Sequence, residues 1–278
     1  MGLFDFDEKF FQQIKRTKKM VINQEIIDNI KRILIPGFDD EELDTIKDLQ
    51  KKLLTRSMKK NKSDEVGMLV DLQDWSDIIV NGTENRITLT RDKRAYNLLC
   101  NAPKNSLLFF HNHPKNSCFS EKDLESFLTS DAIIMMSVVC NNGRLYYLVK
   151  TDTFDRYAAL NYYGKIYEKT ENGSVREFLR ICSSIGLKFI YGGEWYMIKR
   201  NFIQPTNEEI REREKMYEEA ASLGIDLMGY DGSNHSSTKR QDRRKAVVLL
   251  GTGKTVPKEL KERLINDTLK HNRQKNKP

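Results

Sequence analysis

Ser106-Leu107-Leu108-Phe109-Phe110-His111-Asn112-His113-Pro114-Lys115-Asn116-Ser117-Cys118-Phe119-Ser120-Glu121-Lys122-Asp123 runs an apolar stretch into two histidines, a proline and a Ser-x-x-Asp step. Side chains on a strand alternate faces, so His111 and His113 point the same way from the end of a buried strand. Pro114 has no amide hydrogen for a ladder and stops the strand. Ser120 followed by Asp123 is a helix start, with the hydroxyl capping and the carboxylate in the first turn. A six-residue loop, Pro114 to Phe119, therefore joins a strand end to a helix start. Two imidazoles and a carboxylate are three of the four ligands of a catalytic zinc, the fourth position being left to water. The bland alternative is a capped helix beside a strand end whose histidines hydrogen-bond to backbone. The chain has four histidines in 278 residues, and two of them fall here, two apart, which favours the metal.

The stretch resembles the JAMM (MPN or JAB domain) metalloprotease motif, His-x-His-Pro followed by Ser-x-x-Asp with an upstream Glu on an early strand. Its wording is most similar to prokaryotic members, including RadC-like proteins and JAB domains attached to phage head-morphogenesis proteins. The resemblance implies that His111, His113 and Asp123 hold Zn2+ and that the Ser120 hydroxyl stabilises an oxyanion. It also implies that Glu65, in Glu65-Val66-Gly67-Met68-Leu69 and 46 residues before His111, is the general base. The loop between His113 and Ser120 holds six residues where the common pattern has seven, which bears on where Ser120 falls. The likeness covers residues 61 to 150. It implies an α/β fold around one mixed sheet and hydrolysis of peptide or isopeptide bonds in protein or peptide substrates, ubiquitin-like conjugates among them.

Composition sets the limits around that motif. Charged residues make up 31% and hydrophobic ones 38%, as in a water-soluble chain, and no apolar run approaches the ~18 residues that cross a bilayer. Met1 to Glu8 has neither a basic nor an apolar signal region, so no secretory signal and no membrane partner are expected. Cys100, Cys118, Cys140 and Cys182 lie far apart, which reads as reduced thiols in a cytoplasm. Cys118 lies in the metal loop, where a thiolate can bind zinc, but between Ser117 and Phe119 it reads as a bystander.

Four regions are expected. Residues 1–60 form a helical hairpin: Lys9 to Ile35 carries isoleucines near a 3.6 period and ends at Pro36-Gly37, and acidic Asp39 to Glu42 opens a second helix to about Met58. Residues 61–150 alternate strands and helices. Strands are expected at Glu65 to Leu72, Ile78 to Val80, Arg86 to Leu89, Leu107 to His111, Ile133 to Cys140 and Leu145 to Lys150, the last two joined by an Asn141-Asn142-Gly143 turn. Residues 151–233 are mainly helical, with a short strand at Leu187 to Tyr191, a Gly192-Gly193 turn and a charged helix from Glu208 to Leu223. Residues 234–278 are a basic tail: from 235 on, thirteen Lys or Arg face four Asp or Glu, a net +9 against −2 for the rest. Such a segment attracts nucleic acid or another polyanion through phosphates, or is a disordered solubilising end. It contains none of the five motif residues and is expected to be dispensable for them.

Two classes of function remain open. One is a zinc hydrolase of amide bonds. The other is a DNA- or phage-associated accessory protein in which the JAMM-like domain is a binding module among helical arms.

Overall fold

A computed structural model of the chain describes residues 18–169, 174–191, 204–228 and 237–275. Among them one six-stranded mixed sheet is flanked by helices on both faces, so the fold is mixed α/β. The strands are β1 (Val66–Asp71), β2 (Asp77–Asn81), β3 (Leu107–His113), β4 (Ile133–Cys140), β5 (Leu145–Lys150) and β6 (Leu187–Ile190), in the order β2-β1-β3-β4-β5-β6. All neighbours are antiparallel except β3 and β4. A parallel pair needs a crossover, and α4 (Glu121–Thr129) supplies it. The motif is thus one strand–helix–strand unit at the centre of the sheet.

Every residue of β3 is buried, and the two faces lead to different cores. Leu108 and Phe110 pack with α2 (Asp40–Lys60), which carries Leu43, Ile46, Leu53 and Leu54. Leu107 and Phe109 pack into the larger core built by the later helices. By the same alternation His111 and His113 face the larger core and Asn112 the α2 side. α2 begins at a capping box in which Asp39 and Glu42 satisfy each other's amides at 2.9 and 3.0 Å.

The remaining helices are α1 (Gln24–Asp28), α3 (Lys93–Asn101), α5 (Arg156–Lys169), α6 (Ser174–Ile181), α7 (Asn207–Ser222), α8 (Ser237–Gly251) and α9 (Lys258–Lys275). Expectations for β1, β2, β4, β5, β6, α2 and α7 are met to within about two residues at each end, α4 starts at the Ser120 cap, and β3 runs two residues further, to His113.

Three expectations are corrected. The first is the helix over Lys9 to Ile35. Its start lies outside the described residues, and within them only Gln24–Asp28 is helical. Asn23 caps the Ile26 amide at 2.9 Å and Asn29 ends the turn, while Ile22, Ile30 and Ile35 are buried from non-helical backbone. Side-chain amides that bond locally compete with helix continuation. The second is the strand over Arg86 to Leu89. A single bridge pairs Thr83 with Arg86, Leu89–Arg91 is one 3₁₀ turn, and the Leu89 amide bonds to the Met228 carbonyl rather than to a sheet neighbour.

The third is the basic tail. Residues 237–275 are two helices whose Ala246, Val247, Leu250, Val256, Leu260 and Leu264 lie in the same apolar cluster as β3 and β4. Residues on both sides of the boundaries expected at 150 and 233 share that cluster. The Gly192-Gly193 turn and residues 229–236 lie outside the described residues. No helix among those described is long and apolar enough to cross a membrane.

Candidate metal centre

β3 and α4 bring His111, His113 and Asp123 together. His111 Nε2 lies 3.1 Å from His113 Nε2 and 3.1 Å from Asp123 Oδ1, and His113 Nε2 lies 3.5 Å from Asp123 Oδ2. They form the one group of three or more His, Cys, Asp or Glu side chains, among the described residues, with ligand atoms within 4.8 Å of one another. Four ligands at zinc–nitrogen distances of 2.0–2.1 Å on a tetrahedron are separated by about 3.3 Å. The observed separations straddle that value, the two from Asp123 ending on different oxygens, and with one donor atom per residue the three side chains lie within 4.8 Å of one another, a group that could hold a metal ion. Cys118 is buried but stands outside the group, as a bystander does.

The surroundings fix these side chains. His113 Nδ1 is bracketed by the Ser117 carbonyl at 2.8 Å and the Ser117 hydroxyl at 3.1 Å, which commits that nitrogen and turns Nε2 to the cluster. Ligating histidines are typically held through the second nitrogen in this way. The backbone contact of the bland reading and the metal geometry therefore coexist in one residue. Asn116, at φ 53, makes the tight loop possible and accepts the Asn142 amide at 3.0 Å. Phe109 stacks on His111 with ring centroids 5.0 Å apart. A side chain at Gly67 would lie 3.2 Å from Phe109 and 3.0 Å from Ile87, so its absence leaves room for that ring. His111 Nδ1 is buried without a hydrogen-bond partner among the described residues. Such orphans are uncommon in folded proteins.

Ser120 and Asp123 form the expected cap and more. The Asp123 amide donates to Ser120 Oγ at 3.2 Å, and the Ser120 amide donates to Asp123 Oδ2 at 2.5 Å. The carboxylate is thus oriented by its own helix start while it faces both imidazoles. Ser120 Oγ accepts in this contact, which leaves its proton available to donate elsewhere.

Glu65 lies just before β1 and is 7% exposed. Its charge helps to raise His113, but its side chain is not one of the three that converge. Its backbone is bonded on every side. The Glu65 amide donates to Thr83 O at 3.0 Å, and Glu65 O accepts from the Gly82 amide and the Asn61 side chain, both at 2.8 Å. Asn112, between the two histidines, accepts the Val66 amide at 2.7 Å and donates to Asp64 O at 3.2 Å and Asn141 Oδ1 at 2.7 Å. Asn112 and Ser117 are residues that the sequence reading passed over. For Asn112 the only signal was an amide at a fully buried strand position.

Electrostatics separates the two imidazoles. Burial pushes His111 below its ordinary value. His113 is equally buried, but the Asp123 hydrogen bond and charge, with Glu65 and the Ser117 carbonyl, outweigh burial and lift it to about 9. Burial opposes the charge of Asp123, yet the two imidazoles hold its carboxyl well below the usual range. A proton on His113 therefore does, without metal, what a cation would do at the same point.

The centre is closed. His111 is 2% and His113 6% exposed, and the Asp123 side chain keeps 13%. Two cavities lined by described residues lie elsewhere. One is flanked by residues 20–33 and the β4–β5 turn, the other by residues 86–91 and α7, and neither is lined by any of the five motif residues. Comparison of the chain with protein-family models, curated proteins and solved structures finds no match.

Proposed function

We propose that the chain is a zinc-dependent hydrolase of amide bonds, a metallopeptidase or isopeptidase of JAMM type. The observation that carries this is the convergence of His111 Nε2, His113 Nε2 and the two Asp123 carboxylate oxygens at 3.1 to 3.5 Å, with the nearly buried Glu65 at the entry of β1, the strand paired with β3. When bound, zinc supplies Lewis acidity and lowers the pKa of a coordinated water to about 7. Glu65 takes a proton from the attacking water and returns it to the leaving amine. The Ser120 hydroxyl, already positioned by the Asp123 amide, donates to the carbonyl oxygen as charge develops there. The substrate is a protein or peptide, with a ubiquitin-like conjugate in the same class. The four free, buried cysteines accord with a cytoplasmic setting.

A second reading rests on the closure of the centre: a DNA- or phage-associated accessory protein whose JAMM-like domain binds rather than cleaves. A polyanion contact through residues 235–278 would compete with the carboxylates that, among the described residues, pair with Arg240, Arg243, Arg244, Lys258, Lys261 and Arg263. Metal analysis and peptidase assays of the chain and of Glu65→Gln decide between the readings. The hydrolase reading expects about one equivalent of zinc in both and hydrolysis only in the parent. Zinc without hydrolysis in the parent supports the binding module. Loss of zinc in Glu65→Gln refutes the assigned roles.

A further inference from the structure

α4 is a nine-residue helix, and it carries a ligand on one face and two carboxylates on the other. At about 100° per residue, Glu121 and Glu125 share a face, and Asp123 lies on the opposite one. Both glutamates meet α8. Arg240 reaches Glu121 Oε2 at 2.6 Å, and Arg244 binds the same carboxylate through two nitrogens, one of them 3.0 Å from Oε2. Arg243 Nη2 donates to Glu125 Oε2 at 2.8 Å, and Tyr163 of α5 donates to Glu125 Oε1 at 3.0 Å. Glu125 is 1% exposed, and the Arg243 and Arg244 side chains 8% and 6%.

These contacts are embedded in close packing. A side chain at Gly251, the end of α8, would lie 2.6 Å from Leu160 and 3.0 Å from Thr129, the last residue of α4. The ends of α4 and α8 therefore meet without room to slide. One turn of ion pairs fixes the rotation and height of α4 against α8, and hence where Asp123 stands relative to β3.

We infer that Arg243 and Arg244, through Glu125 and Glu121, are positioning residues for Asp123, so that α8 sets the metal affinity of a centre to which it contributes no ligand. This rests on reading His111, His113 and Asp123 as zinc ligands. It predicts the opposite of the expectation that the basic segment is dispensable for the centre. Arg244 is needed as an arginine, because a planar fork holds a carboxylate at two points and a lysine at one.

The test is zinc titration of the full chain against a chromophoric chelator, with apo melting temperature measured in parallel. Parent protein that takes up no zinc defeats the metal reading itself. If the parent binds one equivalent, Arg244→Gln and Glu121→Gln should each weaken zinc binding about 10- to 100-fold, the usual effect of removing an outer-shell partner. Arg244→Lys should lose part of that, and the swapped pair Glu121→Arg/Arg244→Glu should regain affinity over either single variant. Leu264→Ala loosens α9 from the same core without touching Glu121 or Glu125. It should lower the apo melting temperature and leave zinc affinity unchanged. Zinc affinity within twofold of the parent in folded Arg244→Gln, or a loss in Leu264→Ala as large as in Arg244→Gln, overturns the inference. Should Arg244→Gln fail to fold, Arg244→Lys and the outer Arg240→Gln carry the same comparison, and unchanged affinity in both overturns it.

Discussion

Asn112→Leu should destabilise the protein strongly while leaving its zinc ligands in place. Asn112 is fully buried on the α2 side of β3, facing away from the cluster, and bonds to four groups. Two of them keep a partner without it: Asp64 O still accepts from Ser57 Oγ at 2.6 Å, and the Ser57 hydroxyl still donates there. The other two, the Val66 amide hydrogen and Asn141 Oδ1, lose a 2.7 Å bond each and are left in a dry interior. A stranded buried polar group costs about 1–3 kcal/mol, so the two together cost about 2–6 kcal/mol, a large part of a typical domain's stability. The assay is urea unfolding in the presence of a chelator, followed by circular dichroism. A zinc titration on the folded variant should still find one equivalent. Peptidase activity should fall, because the Val66 amide that anchors the Glu65 backbone is released. A stability change under about 1 kcal/mol, or loss of zinc from folded Asn112→Leu, refutes this division of the strand into a ligand face and an anchoring face.

Lys150 is fully buried, bonds to the Ser130 carbonyl and lies 4.6 Å over the Phe127 ring. Burial pulls it from 10.5 to about 7, so the unfolded chain holds the extra proton between those values and stability should rise with pH across that window. The full span corresponds to about 5 kcal/mol, and denaturation at pH 6, 8 and 10 should show the stability of the parent gaining on that of Lys150→Met as pH rises, whatever slope His113 adds to both. An equal slope in both means that Lys150 does not titrate there. His113, held at about 9 by Asp123, must give up a proton to a metal at neutral pH. Calorimetric zinc titrations at pH 7 in buffers of different ionisation enthalpy should report about one proton released, fading above pH 9, and none at pH 7 contradicts the assignment. A chain ending at residue 233 removes Ala246, Val247, Leu250 and Leu260 from the core and leaves Glu125 without Arg243, so it should lack a cooperative melt. A sharp transition in that chain shows that the C-terminal helices are accessory to folding.

What was legible in the sequence is what short-range physics determines. β3 and α4 follow from an apolar run, a proline and a capping pair, all within eighteen residues, and Asn141-Asn142-Gly143 makes its hairpin because Gly143 takes φ 84 at no steric cost. The isoleucines from Ile22 to Ile35 mislead for the same reason that they pattern well: burial rewards an apolar side chain whether its backbone is helical or extended. Asn23 caps the one short helix there with its side chain, and at Asn29, whose backbone amide bonds back to Glu25, that helix ends. Net charge misleads in another way. A count of +9 records how many basic groups residues 235–278 hold, but not that Arg243 and Arg244 have partners on α4, more than a hundred residues earlier in the chain.

The same division runs through the centre itself. Its candidate ligands lie on one crossover, His111 to Asp123, and such a unit can be recognised locally because strand end, loop and helix cap are contiguous. What would hold them in register, on the reading proposed above, is not contiguous. Glu65 and its anchors come from the β1 entry, Asn141 from the β4–β5 turn, Tyr163 from α5 and the arginines from α8. Residues that supply chemistry are constrained by their own spacing, whereas residues that position them are constrained only by where the finished fold delivers them. A zinc affinity that responds to Arg244 but not to Leu264 would therefore measure how far this centre belongs to the whole chain rather than to its motif.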